Sequence, residues 1–163
     1  MQYEGRIFRP PSEADSLILQ STVGCSQNGC AFCSMYKEKK FHIRPLADVC
    51  ADVDEIAAGP WAHAFSRVFL ADGDALMRKT EEQLAIFSHI YARLPRCGRI
   101  TCYASPASIR AKTQDELEAL AAGGLNMVYM GLESGSDAVL SRMNKGAPSG
   151  QAPGYGHRHP GSA

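Results

Sequence analysis

Three cysteines, Cys25, Cys30 and Cys33, fall within nine residues of the 163-residue chain in the spacing Cys-x4-Cys-x2-Cys. Thiolates this close on one loop can hold a single metal centre, and their softness selects iron–sulfur clusters or zinc. A four-iron cluster normally takes four protein thiolates, so three leave one iron open to another ligand. The competing reading is a structural zinc ion with His42 as the fourth ligand. The short Cys-x2-Cys pair suits both, although a loop that follows a core strand is unlike the small finger around a structural zinc. Disulfides are not expected. The first residues, MQYEGRIFRP, carry no basic-then-apolar signal, which points to a reducing, cytoplasmic setting.

Other groups with chemical potential recur along the chain: Asp72, Gly73 and Asp74, then Ser105, then Glu133 and Ser134. Like the cysteines, each follows a short apolar, β-leaning run. The runs are 17–22 (LILQST), 68–71 (VFLA), 100–104 (ITCYA) and 127–132 (MVYMGL). The last three are nearly continuous in apolar residues, as expected for parallel strands covered on both faces. Helical patterns lie between them. Pro45 opens the first, in which Leu46, Val49, Cys50, Val53, Ile56 and Ala57 recur at helical spacing until Gly59-Pro60. In the second, Thr80 and Gln83 are placed as a capping box, with Leu84, Phe87, Tyr91 and Leu94 on one face. The third starts at Thr113 with Glu116 three residues on, turns Leu117 and Leu120 inward and stops at Gly123-Gly124. A short fourth helix, with Ser136 as its N-cap, runs to about Met143.

Four successive strand–helix units with right-handed crossovers allow an open doubly wound sheet or part of a barrel. In both, ligands bind beyond the carboxyl ends of the strands. The cysteines, the Asp72–Asp74 turn, Ser105 and Glu133-Ser134 then share one rim.

Composition sets the remaining bounds. Apolar residues make up 45% and charged residues 21% of the chain, enough for an ordinary core. Seventeen basic residues balance seventeen acidic ones, so net charge does not indicate a nucleic-acid partner. No apolar run approaches a membrane span. The stretch 146–163 has no Val, Ile, Leu, Met or Phe, and eight of its eighteen residues are Gly or Pro. It is expected to be disordered, which leaves one domain over 1–145. A full eight-unit barrel takes roughly 250 residues, so about 145 suffice for about four units.

The run GCSQNGCAFCSMYKEKKFHIR, followed by FLADGDAL and YMGLESGSDAVLSRMNKG, resembles the radical S-adenosylmethionine (SAM) superfamily. The last segment is similar to the branch that holds the methylthiotransferases, the elongator-type enzymes and the oxygen-independent coproporphyrinogen enzymes. The resemblance covers 7–145 and implies an α/β fold, a partial TIM-like (β/α) barrel. It implies that Cys25, Cys30 and Cys33 ligate three irons of a [4Fe-4S] cluster, with the amino and carboxylate groups of SAM on the fourth. Phe32 matches the aromatic position beside the adenine. Asp72, Gly73 and Asp74 resemble the Gly-Gly-Glu turn that holds the SAM amino group, and Glu133 and Ser134 match the ribose-contacting position. Tyr36, Arg99 and Ser105 are candidates for the substrate side, with Ser105 also counted among the SAM contacts. An external donor of flavodoxin or ferredoxin type would reduce the cluster, and cleavage of the sulfonium would yield a 5′-deoxyadenosyl radical that takes hydrogen from a substrate.

The chain departs from the family pattern in three places. Four residues instead of three separate Cys25 from Cys30, and Asp72 and Asp74 stand where a glycine and a glutamate are usual. A glycine-rich fifth-strand segment does not follow. A catalytically incompetent piece of a longer enzyme is therefore an alternative, beside the structural zinc module. Plainer readings accompany the sharper ones. Cys50 and Cys102 are expected as small core residues, and Cys97 has no assigned role. Asp72, Asp74 and Glu133 suit capping or turn-shaping, and His42, among Lys37, Lys39, Lys40 and Arg44, suits a solvated face.

Overall fold

In the computed structural model, which describes residues 1 and 3–146, the chain forms six strands and five α-helices. In order these are β1 (Leu17–Gln20), β2 (Thr22–Val23), β3 (His42–Ile43), α1 (Leu46–Ala58), β4 (Arg67–Ala71), α2 (Thr80–Arg93), β5 (Arg99–Tyr103), α3 (Pro106–Arg110), α4 (Gln114–Ala122), β6 (Leu125–Tyr129) and α5 (Asp137–Arg142). Short 3-10 turns occupy Pro11–Glu13 and Ala75–Met77. The tail expected to be disordered lies, beyond Gly146, outside the described residues. Among the described residues no helix is long and apolar enough to cross a membrane.

Strands β1, β4, β5 and β6 pair in parallel in that spatial order. A doubly wound sheet reverses its strand order at a switch point; this one does not. Its sequential order is that of a barrel wall, and the fold is an α/β partial TIM-like barrel of four units. Side chains alternate across it. Leu17, Leu19, Val68, Leu70, Ile100 and Cys102 join Val49, Val53, Ile86, Phe87, Ile90 and Leu120 of the helices in one core. The opposite face is aromatic and polar. There Phe69 meets Tyr103 edge-on at 5.0 Å and Tyr129 at 6.1 Å.

Helix α4 forms as its sequence indicates, with Thr113 and Glu116 closing a reciprocal capping box. The box expected at Thr80 and Gln83 does not form. The Thr80 hydroxyl instead donates to Glu116 Oε1 at 2.6 Å, tying α2 to α4, and Gln83 Nε2 donates to the carbonyls of Leu76 and Arg78. Ser136 occupies the N-cap position of α5, but its side chain makes no cap bond. Strand β6 starts before the expected position and is half covered, with Asn126 and Met127 exposed. Among the described residues it is the last strand of the sheet, with only one edge paired. Helix α3 is additional to the expected elements, capped by Ser105 and Ser108. Cys102 is a core residue as expected; Cys50 is half-buried outside the core, and Cys97 is buried within it.

The concave face is closed near the start of β1 by Glu13, which is fully buried. Its carboxylate accepts from the Ser16 hydroxyl, from Tyr129 Oη at 2.5 Å and from Arg99 at 3.1 Å. Arg99 thus acts in this clamp. Burial alone would push the Glu13 carboxyl up, but these hydrogen bonds and the guanidinium outweigh it and hold the group below its ordinary 4.5. A carboxyl lowered on folding contributes stability above its unfolded value, and that contribution is lost as pH falls through the folded one. We therefore expect the free energy of unfolding, measured in urea at a series of pH values, to decline below about 4.5. Glu13→Gln should be less stable at pH 7 and should flatten that part of the profile; an unchanged slope would contradict the clamp.

Candidate functional site

The three cysteines stand on a loop whose ends are pinned by β2 and β3, paired antiparallel through Thr22–Ile43 and Val23–His42. Inside this clasp the loop is stitched by its own polar side chains. Asn28 Nδ2 donates to the carbonyls of Tyr36 at 2.6 Å and Lys39 at 3.1 Å. Lys37 Nζ donates to the carbonyls of Asn28 at 2.8 Å and Cys30 at 2.9 Å. From the far end of the fold, the Ala31 N–H donates to the Met143 carbonyl at 2.8 Å, and Asn144 Nδ2 to the Gly29 carbonyl at 2.9 Å. Gly24 takes φ +74°, a conformation that favours glycine.

Two buried carboxylates anchor the loop to the strand ends. Asp72 Oδ2 accepts from Gln20 at 3.0 Å, the Gly24 N–H at 2.9 Å and Lys39 Nζ at 2.8 Å. Asp74 accepts from the Ser105 N–H at 3.0 Å, the Ser105 hydroxyl at 2.7 Å and the Ser26 hydroxyl. Lys39, read from the sequence as part of a solvated basic face, is in fact almost buried against Asp72. Loss of one partner from a buried pair of this kind typically costs about 3–5 kcal/mol, because the other charge is left uncompensated.

A cavity of about 250 Å³ opens at the carboxyl ends of the strands. Of the residues singled out in the sequence, Cys25, Cys30, Cys33, Phe32, Gly73, Ser105, Glu133 and Tyr36 line it. Asp72, Asp74 and Ser134 do not. The two aspartates lie behind the wall, and Ser134 Oγ accepts from the Ser136 N–H at 3.0 Å. Glu133 is bonded to Lys145 Nζ at 2.9 Å, and that ammonium also lies 5.5 Å from the centroid of the Phe32 ring. Tyr103, Tyr129 and Lys145 line the cavity too and escaped the sequence reading. The two tyrosines were visible only as strand residues, and Lys145 reaches the site because α5 turns back toward the strand ends.

Gly73, just beyond the end of β4, packs directly against the cysteine loop. A Cβ there would meet Tyr36 Cε2 at 2.6 Å and Cys25 Cβ at 2.9 Å, so only glycine fits the cradle. Burial, with Asp74 and the other two thiols nearby, raises the Cys25 thiol to about 11. The free protein thus holds this thiol protonated, and metal binding must displace the proton.

Among the described residues no three His, Cys, Asp or Glu side chains gather closely enough to hold a single ion. His42, the fourth ligand of the zinc reading, faces Glu4 at 3.4 Å and the Lys40 carbonyl at 3.2 Å and does not line the cavity. Three thiols spread over one wall suit a group that offers each its own iron better than a zinc ion, whose ligands converge at about 2.3 Å.

The fold is a parallel (β/α) barrel wall that carries thiols and small polar groups at its strand ends. The profile of the Radical SAM superfamily matches residues 19–152, and the chain belongs to that family. Among solved structures it is similar to the cobalamin-dependent SAM radical enzyme OxsB with aqua-cobalamin and SAM bound, at 22% identity and TM-score 0.64. The alignment covers 83% of this chain and 21% of OxsB. The apo, selenomethionine-labelled OxsB structure matches at 20% identity and TM-score 0.63, with the same coverage of 83% and 21%. At this identity the likeness concerns the fold, and the chain spans about a fifth of the length of that enzyme. No curated protein gives a significant match.

The raised Cys25 thiol gives a direct check. Fewer thiolates slow its alkylation, while the greater nucleophilicity of each offsets part of the effect. In the metal-free protein at pH 8, Cys25 should react with iodoacetamide at least about tenfold more slowly than free cysteine, followed by mass spectrometry. Gly73→Ala, which pushes Tyr36 and Cys25 apart, should speed it. Equal rates in the two proteins would contradict the cradle.

Proposed function

We propose that this chain holds a [4Fe-4S] cluster on Cys25, Cys30 and Cys33 and binds SAM beside it, as the N-terminal part of a radical SAM catalytic barrel. The observation that supports this most is the sharing of one cavity by the three thiols with Phe32, Gly73, Ser105 and Glu133. When bound, the cluster and SAM supply one-electron cleavage of the sulfonium and a carbon radical that takes a hydrogen atom from a substrate.

The chain's own residues bind, orient and exclude. Cys25, Cys30 and Cys33 would each hold one iron of the cluster as a thiolate. The Lys37 and Asn28 side chains hold the loop backbone in place, so the three sulfurs are positioned before the metal arrives. Gly73 lets a ligand approach the backbone of the second strand end, the part of the Asp72–Asp74 segment that faces the cavity. Asp72 and Asp74 then serve as supports for the loop, with Asp74 also fixing Ser105. Phe32 offers an aromatic face to an adenine, and Glu133 a carboxylate to ribose hydroxyls. Ser134, outside the cavity, supports Glu133 through the turn into α5. The reading carries with it a reducing, cytoplasmic setting, an external donor of flavodoxin or ferredoxin type and a domain over 1–145.

Anaerobic reconstitution should give a brown protein with about four irons and four sulfides per chain. Cys30→Ala should lose most of both, and the intact protein, reduced with dithionite, should release 5′-deoxyadenosine from SAM. A full cluster in Cys30→Ala, or purified protein with zinc and neither iron nor sulfide, would overturn the assignment.

A further inference from the structure

Tyr36 lies three residues beyond the last cysteine and is 4% exposed. Its ring is fixed on every side that the surroundings reach. Phe8 packs edge-on with centroids 5.4 Å apart, and Lys39 Nζ lies 5.8 Å from the ring centroid. The Gly73 cradle brings its Cε2 edge to the same point as Cys25 Cβ. The backbone carbonyl of Tyr36 is held by Asn28 at 2.6 Å, so neither main chain nor ring is free to swing. Yet the hydroxyl is buried and has no hydrogen-bond partner among the described residues. A buried donor left unmatched has lost its hydrogen bond to water without a replacement, and buried polar groups are rarely left so.

The hydroxyl belongs to a residue that lines the thiol cavity, and its electrostatic surroundings are Asp72 and Tyr103, then Cys25 and Cys33. Of these neighbours, those that line the cavity are Tyr103 and the two cysteines; Tyr103 offers a neutral hydroxyl, and the acceptor that can carry negative charge there is a sulfur. We propose that Tyr36 Oη donates a hydrogen bond to the sulfur of the cluster assembled on Cys25 and Cys33, and so raises the cluster's reduction potential. The inference rests on the cluster reading above and goes beyond it, because no ligand role requires this residue. The physical reason for the direction is simple. Reduction adds negative charge to the cluster, and a donor aimed at a sulfur stabilises the reduced form more than the oxidised one; hydrogen bonds to sulfur are among the determinants of such potentials.

The rival account is local: Asp72 Oδ1 is also buried without a partner among the described residues, and a water between it and Tyr36 would satisfy both. The two accounts differ in the cluster's potential. Reconstituted protein without SAM is titrated by potentiometry with electron paramagnetic resonance detection, beside Tyr36→Phe at matched iron content. The expected change is about tenfold in the one-electron equilibrium, a midpoint about 59 mV lower in the variant. Replacement of Tyr36 by 3-fluorotyrosine keeps the ring, strengthens the donor and should move the midpoint upward. Tyr36→Phe with a full cluster and an unchanged midpoint would overturn the proposal. Should Tyr36→Phe fail to keep its cluster, the fluorinated protein decides: a higher midpoint supports the hydrogen bond, and no shift overturns it. Failure of the unmodified protein to take up iron and sulfide is a separate result, which removes the cluster reading and this inference with it.

Discussion

Asp72 has no contact with solvent, and one of its oxygens gathers Gln20 from the end of β1, the Gly24 N–H at the start of the cysteine loop and the Lys39 ammonium near the loop's end. Much of the site depends on this convergence. The carboxylate closes the loop onto the strand ends from both sides and neutralises a lysine that would otherwise be stranded in the protein. Such a pair contributes little net stability against an apolar substitute, since both charges lose their water. Its effect is one of position: with three donors on one oxygen, the loop has a single arrangement that satisfies them.

Asp74 repeats the device one step along the rim. Its oxygens join Ser26 of the loop to Ser105 at the cap of α3, so the ends of β4 and β5 and the cysteine loop move as one piece. Between the aspartates Gly73 leaves room for Tyr36 and Cys25 to touch the backbone. The segment therefore works by alternation. Carboxylates point away from the cavity and secure the loop, while the residue with no side chain forms its surface. On the concave face the Glu13 clamp gathers Arg99 of β5 and Tyr129 of β6 in the same way.

Much of this was legible in the sequence where the controlling interaction is local. The Thr113–Glu116 box formed because both partners lie within one helical turn. The Thr80–Gln83 box did not, because Glu116 of another helix competes for the Thr80 hydroxyl. The strand ends were found from short apolar runs, and the parallel sheet in chain order then carried the cysteines, Gly73, Ser105 and Glu133 to one cavity. Lys39 and Arg99 gave no sign of their ion pairs with Asp72 and Glu13, since those acidic partners lie far away in the chain.

The sequence by itself determined the spacing of the three thiols, the order of strand–helix units and the polar residue that ends each strand. It also carried the family, through motifs whose parts sit next to one another. Only the tertiary structure decided which of those polar groups face the cavity and which stand behind it. It placed Asp72 and Asp74 among buried donors, brought Lys145 to Glu133, and left the Tyr36 hydroxyl buried with no partner among the described residues. The reason is one of range. A turn or cap closes between residues a few positions apart, whatever the rest of the chain does. A buried charge takes whichever partner the fold brings within about 3 Å, and that choice exists only once the strands have paired.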